Sequence, residues 1–174
     1  IGAQVGVADT STDWQAFVRR PDLDLIAITT PPSEHRAMSL AAIAAGKHVL
    51  CEKPMALNAA EAAEMTEAAD KAGVVAYIGH EWRWQYDRLS MGGVVRAGGL
   101  GAMTTVTMNH QLSMWHPALP APALWKFSAA DGGGFLNAVL CHEIEFARLL
   151  WGEPAAVFAN LTTLAPSRTL PDGR

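Results

Sequence analysis

Two neighbouring stretches decide the fold: Asp24-Leu25-Ile26-Ala27-Ile28-Thr29-Thr30-Pro31-Pro32-Ser33-Glu34-His35, and then Ala45-Gly46-Lys47-His48-Val49-Leu50-Cys51-Glu52-Lys53-Pro54. Leu23 to Thr29 is a nearly continuous apolar run, the pattern of a strand buried on both faces. Ser33 is expected to cap a helix from Glu34 to Ala45, with Gly46 ending it in the left-handed conformation, and His48 to Lys53 to form the next strand. A lysine at the carboxyl end of a parallel strand stands where open α/β sheets bind their ligands. Lys53 is therefore the first functional candidate.

Working outward, Thr12 with Gln15 reads as a capping box for a short helix bearing Trp14, Phe17 and Val18, which Pro21 stops. Asn58 with Glu61 opens a further helix. On it Ala62, Met65, Ala69 and Ala72 share one face, Glu67 and Lys71 are spaced to pair outside, and Gly73 marks the end. Val74 to Gly79 is a third apolar run. Strands alternating with helices call for a parallel sheet with right-handed crossovers.

Beyond Gly79 the pattern changes. A helix is expected from Arg83 to Ala97, although Gly92 and Gly93 inside it would together cost about 2 kcal/mol relative to alanine. Met103 to Gln111 alternates as a strand does, and Ser113 to Pro122, with three prolines, reads as an irregular loop. Leu140, Ile144, Ala147 and Trp151 recur at helical spacing over Asn137 to Trp151, with Gly152 as the stop. Ala155 to Thr163 reads as another strand, and the tail from Ala165 as frayed. The boundary near Gly79 to Arg83 divides the chain into residues 1–80 and 81–174.

Composition sets the broad class. Of 174 residues half are hydrophobic and 17% charged, enough to bury a sizeable core. A net charge of −4 without a basic run gives no electrostatic reason to expect nucleic acid or an anionic membrane as partner. No apolar run approaches the ~20 residues of a membrane helix. Two cysteines make no disulfide framework, and a cytoplasmic location is the default expectation. His110, His116, His142, Cys51 and Cys141 lack zinc-ligand spacing, so no metal is expected.

The spelling from Asp24 to Pro54, together with Trp125-Lys126, Gly132-Gly133-Gly134 and a helix-borne His142, resembles the Gfo/Idh/MocA family of NAD(P)-dependent oxidoreductases, named for glucose-fructose oxidoreductase and inositol dehydrogenase. The resemblance covers almost the whole chain. It implies an α/β fold, with part of a Rossmann-type parallel sheet in residues 1–80. Residues 81–174 would begin an α+β substrate domain built on a mostly antiparallel open sheet. It implies NAD or NADP as cofactor and a sugar, cyclitol or related polyol as substrate. It also implies a homo-oligomer formed through the C-terminal sheet.

In that family the strand-end lysine contacts the reacting hydroxyl and the nicotinamide region, and the helix-borne histidine takes the hydroxyl proton as hydride leaves. Lys53 and His142 match these roles, and a base with pKa near neutrality suits the second. Thr30, Pro31, His35, Glu52, Lys53, Glu81, Arg83, Trp125 and Lys126 match positions lining the cofactor. Glu145 takes the place of the acidic residue usual three positions after the histidine, and the alternatives for these residues are ordinary: a solvated lysine, a core or surface histidine, a surface charge at Glu145. Trp82, Trp84, Trp115 and Trp125 offer faces for a sugar but are first of all core material.

The chain also departs from the family pattern. No Gly-x-Gly-x-x-Gly occurs in it and it opens at Ile1, so it is expected to be a fragment shortened at both ends. Such a chain would leave strand edges unpaired, and should associate or be marginally stable. Ala138 stands where the commoner pattern has an aspartate one turn before the histidine, Leu140 replaces a glycine, and Glu81 replaces an asparagine. Asn137 points about 140° away from His142 at helical spacing and cannot replace the aspartate. These departures keep a second function open, a catalytically incompetent remnant that only binds or dimerises. The three glycines are expected to allow close backbone approach and a tight helix start, not to bind phosphate.

Overall fold

The computed structural model describes residues 2–112, 124–163 and 166–167. After a 3-10 turn at Gly2–Val5, helix α1 (Trp14–Val18) leads into strand β1 (Leu25–Ile28), helix α2 (Pro32–Ala44), strand β2 (His48–Glu52), helix α3 (Ala59–Ala72) and strand β3 (Ala76–Gly79). The three strands form one parallel sheet in the order β1-β2-β3, with Ile28 opposite Cys51 and Cys51 opposite Ile78. Parallel pairing of consecutive strands requires a crossover, which α2 and α3 provide.

The helices cover one face of this sheet. Ile26, Ile28, Val49 and Cys51 meet Ala42, Ile43, Met65 and Ala69 in a single core with Val18. The alternate residues point the other way, and Leu25, Leu50 and Tyr77 remain 43–68% exposed. The continuous apolar run of β1 therefore reports a strand whose second face is apolar yet open among the described residues, and the expectation of burial on both faces is corrected.

Local signals held at most helix ends and failed at two. Asn58 Oδ1 accepts from the Glu61 amide at 3.0 Å while Glu61 reaches back to the Leu57 amide, and Gly73 closes α3 at φ +67°. Gly46 is likewise left-handed after α2. At α1, however, Asp13 caps the helix by accepting from Ala16, so Thr12 does not. At α2 the cap position is Pro31, with Pro32 as the first helical residue, where its missing N–H costs nothing. Ser33 instead directs its hydroxyl to Asp131 at 3.3 Å. The outer ion pair of α3 runs from Glu64 to Arg36 of α2, and Ala72 lies exposed.

After a 3-10 turn at Glu81–Trp84 come helix α4 (Tyr86–Arg96), a 3-10 turn at Leu124–Phe127, a π-helical turn at Leu136–Leu140 and helix α5 (Cys141–Trp151). Both Gly92 and Gly93 lie inside α4. Gly92 is buried, and a Cβ there would stand 3.4 Å from Leu150 and 3.1 Å from Arg96, so the glycine lets α4 pack closely on α5. Ala138, Val139, Phe146 and Leu150 are the buried apolar side chains of this part. Met103 to Gln111 and Ala155 to Thr163 carry no regular structure, correcting both strand expectations. A strand is completed only by a hydrogen-bonded neighbour, and among the described residues neither segment has one. The loop from Ser113 to Pro122 lies outside the described residues, as does nearly all of the tail.

Candidate active site

Lys53 follows β2 directly, so the sheet aims it beyond the carboxyl edge of the strands. Its Nζ donates to the main-chain carbonyl of Ala138 at 3.3 Å, in the π-helical turn that runs straight into α5 and His142. A long-range contact over 85 positions thus brings the two sequence candidates to one place. In the π turn the Cys141 amide bonds to Leu136, five residues back, which rotates the residues before His142 away from ordinary α-helical register.

His142 is 2% exposed. Its ring stacks on the Trp82 indole at 4.3 Å between centroids and 11° between planes, and His80 meets it edge-on at 5.5 Å. Nδ1 has no hydrogen-bond partner, while Nε2 faces Glu81 Oε2 at 3.9 Å. Burial pulls the pKa of the imidazole down to about 4, against the opposing pull of Glu81, with Lys53, His80 and Arg88 adding to the depression. The expectation of a base titrating near neutrality is therefore corrected: the ring is neutral at pH 7, ready to accept a proton, and titrates in acid.

Three carboxylates surround this ring and its indole support. Glu143 receives both nitrogens of Arg88 at 2.6 and 3.2 Å and also faces His110 Nδ1 at 3.3 Å. Glu145, 15% exposed, pairs with Arg83 at 2.8 Å, so it is an interior partner and not a surface charge. Glu81 is 60% exposed and sits at the solvent side of His142. Trp82 stacks also on His110, and Arg88 lies over both Trp82 and Phe146. An indole so engaged is a support for the histidine and not a sugar platform. Trp84 is 67% exposed with Arg83 over its ring, and Trp115 lies outside the described residues.

The remaining candidates divide into those near the strand ends and those bound elsewhere. Thr30 and Pro31 lie between the end of β1 and the start of α2, and Glu52 ends β2, with its Oε2 accepting from the Lys53 amide at 3.3 Å. His35 is fully buried, with both ring nitrogens 2.9 Å from main-chain carbonyls, Thr30 on one side and Pro54 on the other. It therefore links the two strand ends, with both ring nitrogens already facing main-chain carbonyls. Arg83 is turned to α5 by Glu145. Trp125 and Lys126 sit in the 3-10 turn, with Lys126 Nζ over the indole at 5.8 Å.

That turn is docked by close packing at Gly132 and Gly133 and by a main-chain hydrogen bond at Gly134. A Cβ on Gly133 would fall 2.5 Å from the Trp125 carbonyl oxygen, and one on Gly132, at φ +78°, 2.7 Å from Pro32. Lys126 O accepts from the Gly134 amide at 2.9 Å, and Asn137 Nδ2 donates to Gly132 O and, at longer range, Gly133 O. Close backbone approach, as expected from the sequence, packs the glycine turn on the start of α2 at Gly132 and on the Trp-Lys turn at Gly133. Sequence reasoning missed the stack of His80, Trp82, His110 and Arg88 around His142. The signal was there in part, because Trp82 lies between Glu81 and Arg83, but no spacing rule joins these residues to α5.

A cleft of about 660 Å³ opens beside this site between β3 and α5, with Met55, Ile78, His80, Cys141 and Glu145 among its walls. Among the described residues no three His, Cys, Asp or Glu side chains gather as a metal site, and no helix is long and apolar enough to cross a membrane. The polar groups at the strand ends, a hydroxyl at Thr30, an accepting carboxylate at Glu52 and a donating amine at Lys53, fit the polar end of a nicotinamide cofactor, which open parallel sheets receive at this edge.

Residues 2–80 match the model of the oxidoreductase family with an NAD-binding Rossmann fold, and residues 89–173 match the GFO/IDH/MocA C-terminal domain. The chain is 30% identical over 169 residues to levoglucosan dehydrogenase of Pseudarthrobacter phenanthrenivorans, covering 97% of this chain and 43% of that protein. It is also 30% identical over 154 residues to scyllo-inositol 2-dehydrogenase (NADP(+)) of Bacillus subtilis, covering 88% and 42%. Among solved structures, levoglucosan dehydrogenase in complex with NADH and levoglucosan superposes with a TM-score of 0.86 at 28% identity, over 99% of this chain and 46% of that one. The chain thus spans less than half the length of these relatives. With both family models matched in order along it, the chain belongs to the GFO/IDH/MocA oxidoreductase family.

Proposed function

We propose that this chain carries the hydride-transfer site of an NAD(P)-dependent oxidoreductase acting on a sugar, cyclitol or related polyol. The observation that carries the reading is the convergence of Lys53 from the end of β2 with the turn that leads into His142, over 85 positions of sequence. The bound nicotinamide would supply the carbon that accepts or returns hydride. Thr30, Pro31, Glu52 and Lys53 would hold its polar end, with Trp125 and Lys126 at the mouth. Lys53 would donate to the substrate oxygen and fix its place, and His142, neutral at pH 7, would take the hydroxyl proton at Nε2, since Nδ1 is sealed. Residues 1–80 would form the cofactor side of the site and 81–174 the substrate side.

The relatives support a polyol substrate and leave both cofactors open: one complex holds NADH and one relative's name specifies NADP(+). A cytoplasmic location is in keeping with free Cys51 and Cys141. Assembly with copies of itself is in keeping with apolar side chains such as Phe158, 93% exposed, in the segment after α5. The test is titration of NADH and NADPH against tryptophan fluorescence, followed by assay of NAD and NADP reduction with levoglucosan, scyllo-inositol and D-xylose. Saturable cofactor binding with turnover of at least one of these is expected. No binding up to millimolar cofactor and no turnover would overturn the reading.

A further inference from the structure

The imidazole of His142 is nearly sealed, with its side chain 1% exposed, one face on Trp82 and Nδ1 without a partner. A base in such a place needs a route for its proton and a charge that tolerates the imidazolium. Charged and titratable groups face it from every packed element: Lys53 from the end of β2, His80 and Glu81 from the stretch after β3, Arg88 from α4. Lys53, His80 and Arg88 disfavour a proton on the ring, and Glu81 favours one. Of the two nearby carboxylates on α5, Glu143 is engaged by Arg88 and His110, and Glu145 by Arg83 through Oε1, its buried Oε2 having no hydrogen-bond partner; Glu145 acts on His80 rather than on His142.

We propose that Glu81 is the proton partner of His142: its exposed carboxylate, 3.9 Å from Nε2, stabilises the imidazolium and passes the proton between the buried ring and water. The assignment rests on the reading of His142 as the base. The substrate hydroxyl gives its proton to Nε2; once the product has left, the N–H bond breaks with its electron pair left on nitrogen, an O–H bond forms on Glu81 as it takes the vacated direction, and water takes the proton. The gap is longer than a hydrogen bond, and a rotation of the exposed Glu81 side chain or one bridging water closes it. Glu81 is thus a positioning residue acting through His142, in place of the cofactor contact that its sequence position implies.

The experiment is a histidine-resolved NMR titration of the full chain, comparing wild type with Glu81→Gln and Glu81→Asp, with His142 assigned from its loss in His142→Gln. Removing the charge in Glu81→Gln should lower the His142 pKa by about half to one unit, and Glu81→Asp should restore most of that shift. A titration of His142 unchanged in Glu81→Gln would overturn the proposal. So would an Asp variant that behaves as the Gln variant does while remaining folded by circular dichroism. In hydride-transfer assays the Gln variant should be slowed and regain rate with added formate as an external proton carrier. If Lys53→Ala and His142→Ala leave turnover intact, the reading of the site itself fails; if both abolish it while Glu81→Gln titrates as wild type, only the Glu81 assignment falls.

Discussion

The strands of the first eighty residues and the segments 103–111 and 155–163 all read as strands in the sequence and reach opposite outcomes. β1, β2 and β3 pair along their length, and α2 and α3 cover one face. Residues 103–111, which alternate, and 155–163, an apolar run, have no regular structure, and Val106, Met108, Val157, Phe158 and Leu161 stand 44–93% exposed. A helix satisfies its backbone from its own chain, and α4 and α5 form on either side of that difference. A strand borrows half its hydrogen bonds from a neighbour, so alternation states which surface a strand would present and not whether it forms.

The largest effect expected from this contrast is on the small core of the second part. Phe146 is 2% exposed and supports Arg88, which in turn holds Glu143 and lies over Trp82. Phe146→Ala should lose about 3–5 kcal/mol in chemical denaturation. If the parts are one cooperative unit, the β-sheet will unfold in the same shifted transition. A sheet transition left in place, with only the α5 signal lost, would show two units.

Acid should separate the parts next. The ordinary histidine pKa is 6.5, and that of His142 is about 4 in the folded chain, so as pH falls the unfolded chain binds the proton first. The stabilising contribution is complete above about pH 6.5 and is lost as pH falls toward 4, a change of about 3 kcal/mol for this group. His80, depressed chiefly by burial, adds in the same direction. Urea melts across that window should be steep in wild type and shallower in His142→Gln. Equal slopes would mean that the ring is not buried as described.

The smallest effect discriminates caps in the first part. Asn58→Ala should cost about 1 kcal/mol because Oδ1 caps α3. Thr12→Ala should stay within about 0.5 kcal/mol because Asp13 holds that cap. The reverse order would put the cap where the sequence alone placed it.

The same contrast explains what the sequence could yield. The parallel order, the turns at Gly46 and Gly73, the cap at Asn58 and the position of Lys53 are local or follow from chirality, and they were legible. So was the close approach at Gly132 and Gly133. The burial that shifts His142, the engagement of Glu145 by Arg83 and the use of His35 as a fastener between strand ends depend on contacts between distant segments, which no spacing encodes. The two capping errors came from near neighbours competing for one role, Thr12 against Asp13 and Ser33 against Pro31.

The most direct test of the central claim compares hydride transfer, followed by nicotinamide absorbance with saturating cofactor and polyol, in wild type, Lys53→Ala and His142→Ala. Each substitution should lower turnover by at least about tenfold with cofactor binding retained. Undiminished turnover in both variants would contradict the assignment of Lys53 and His142 to one active site.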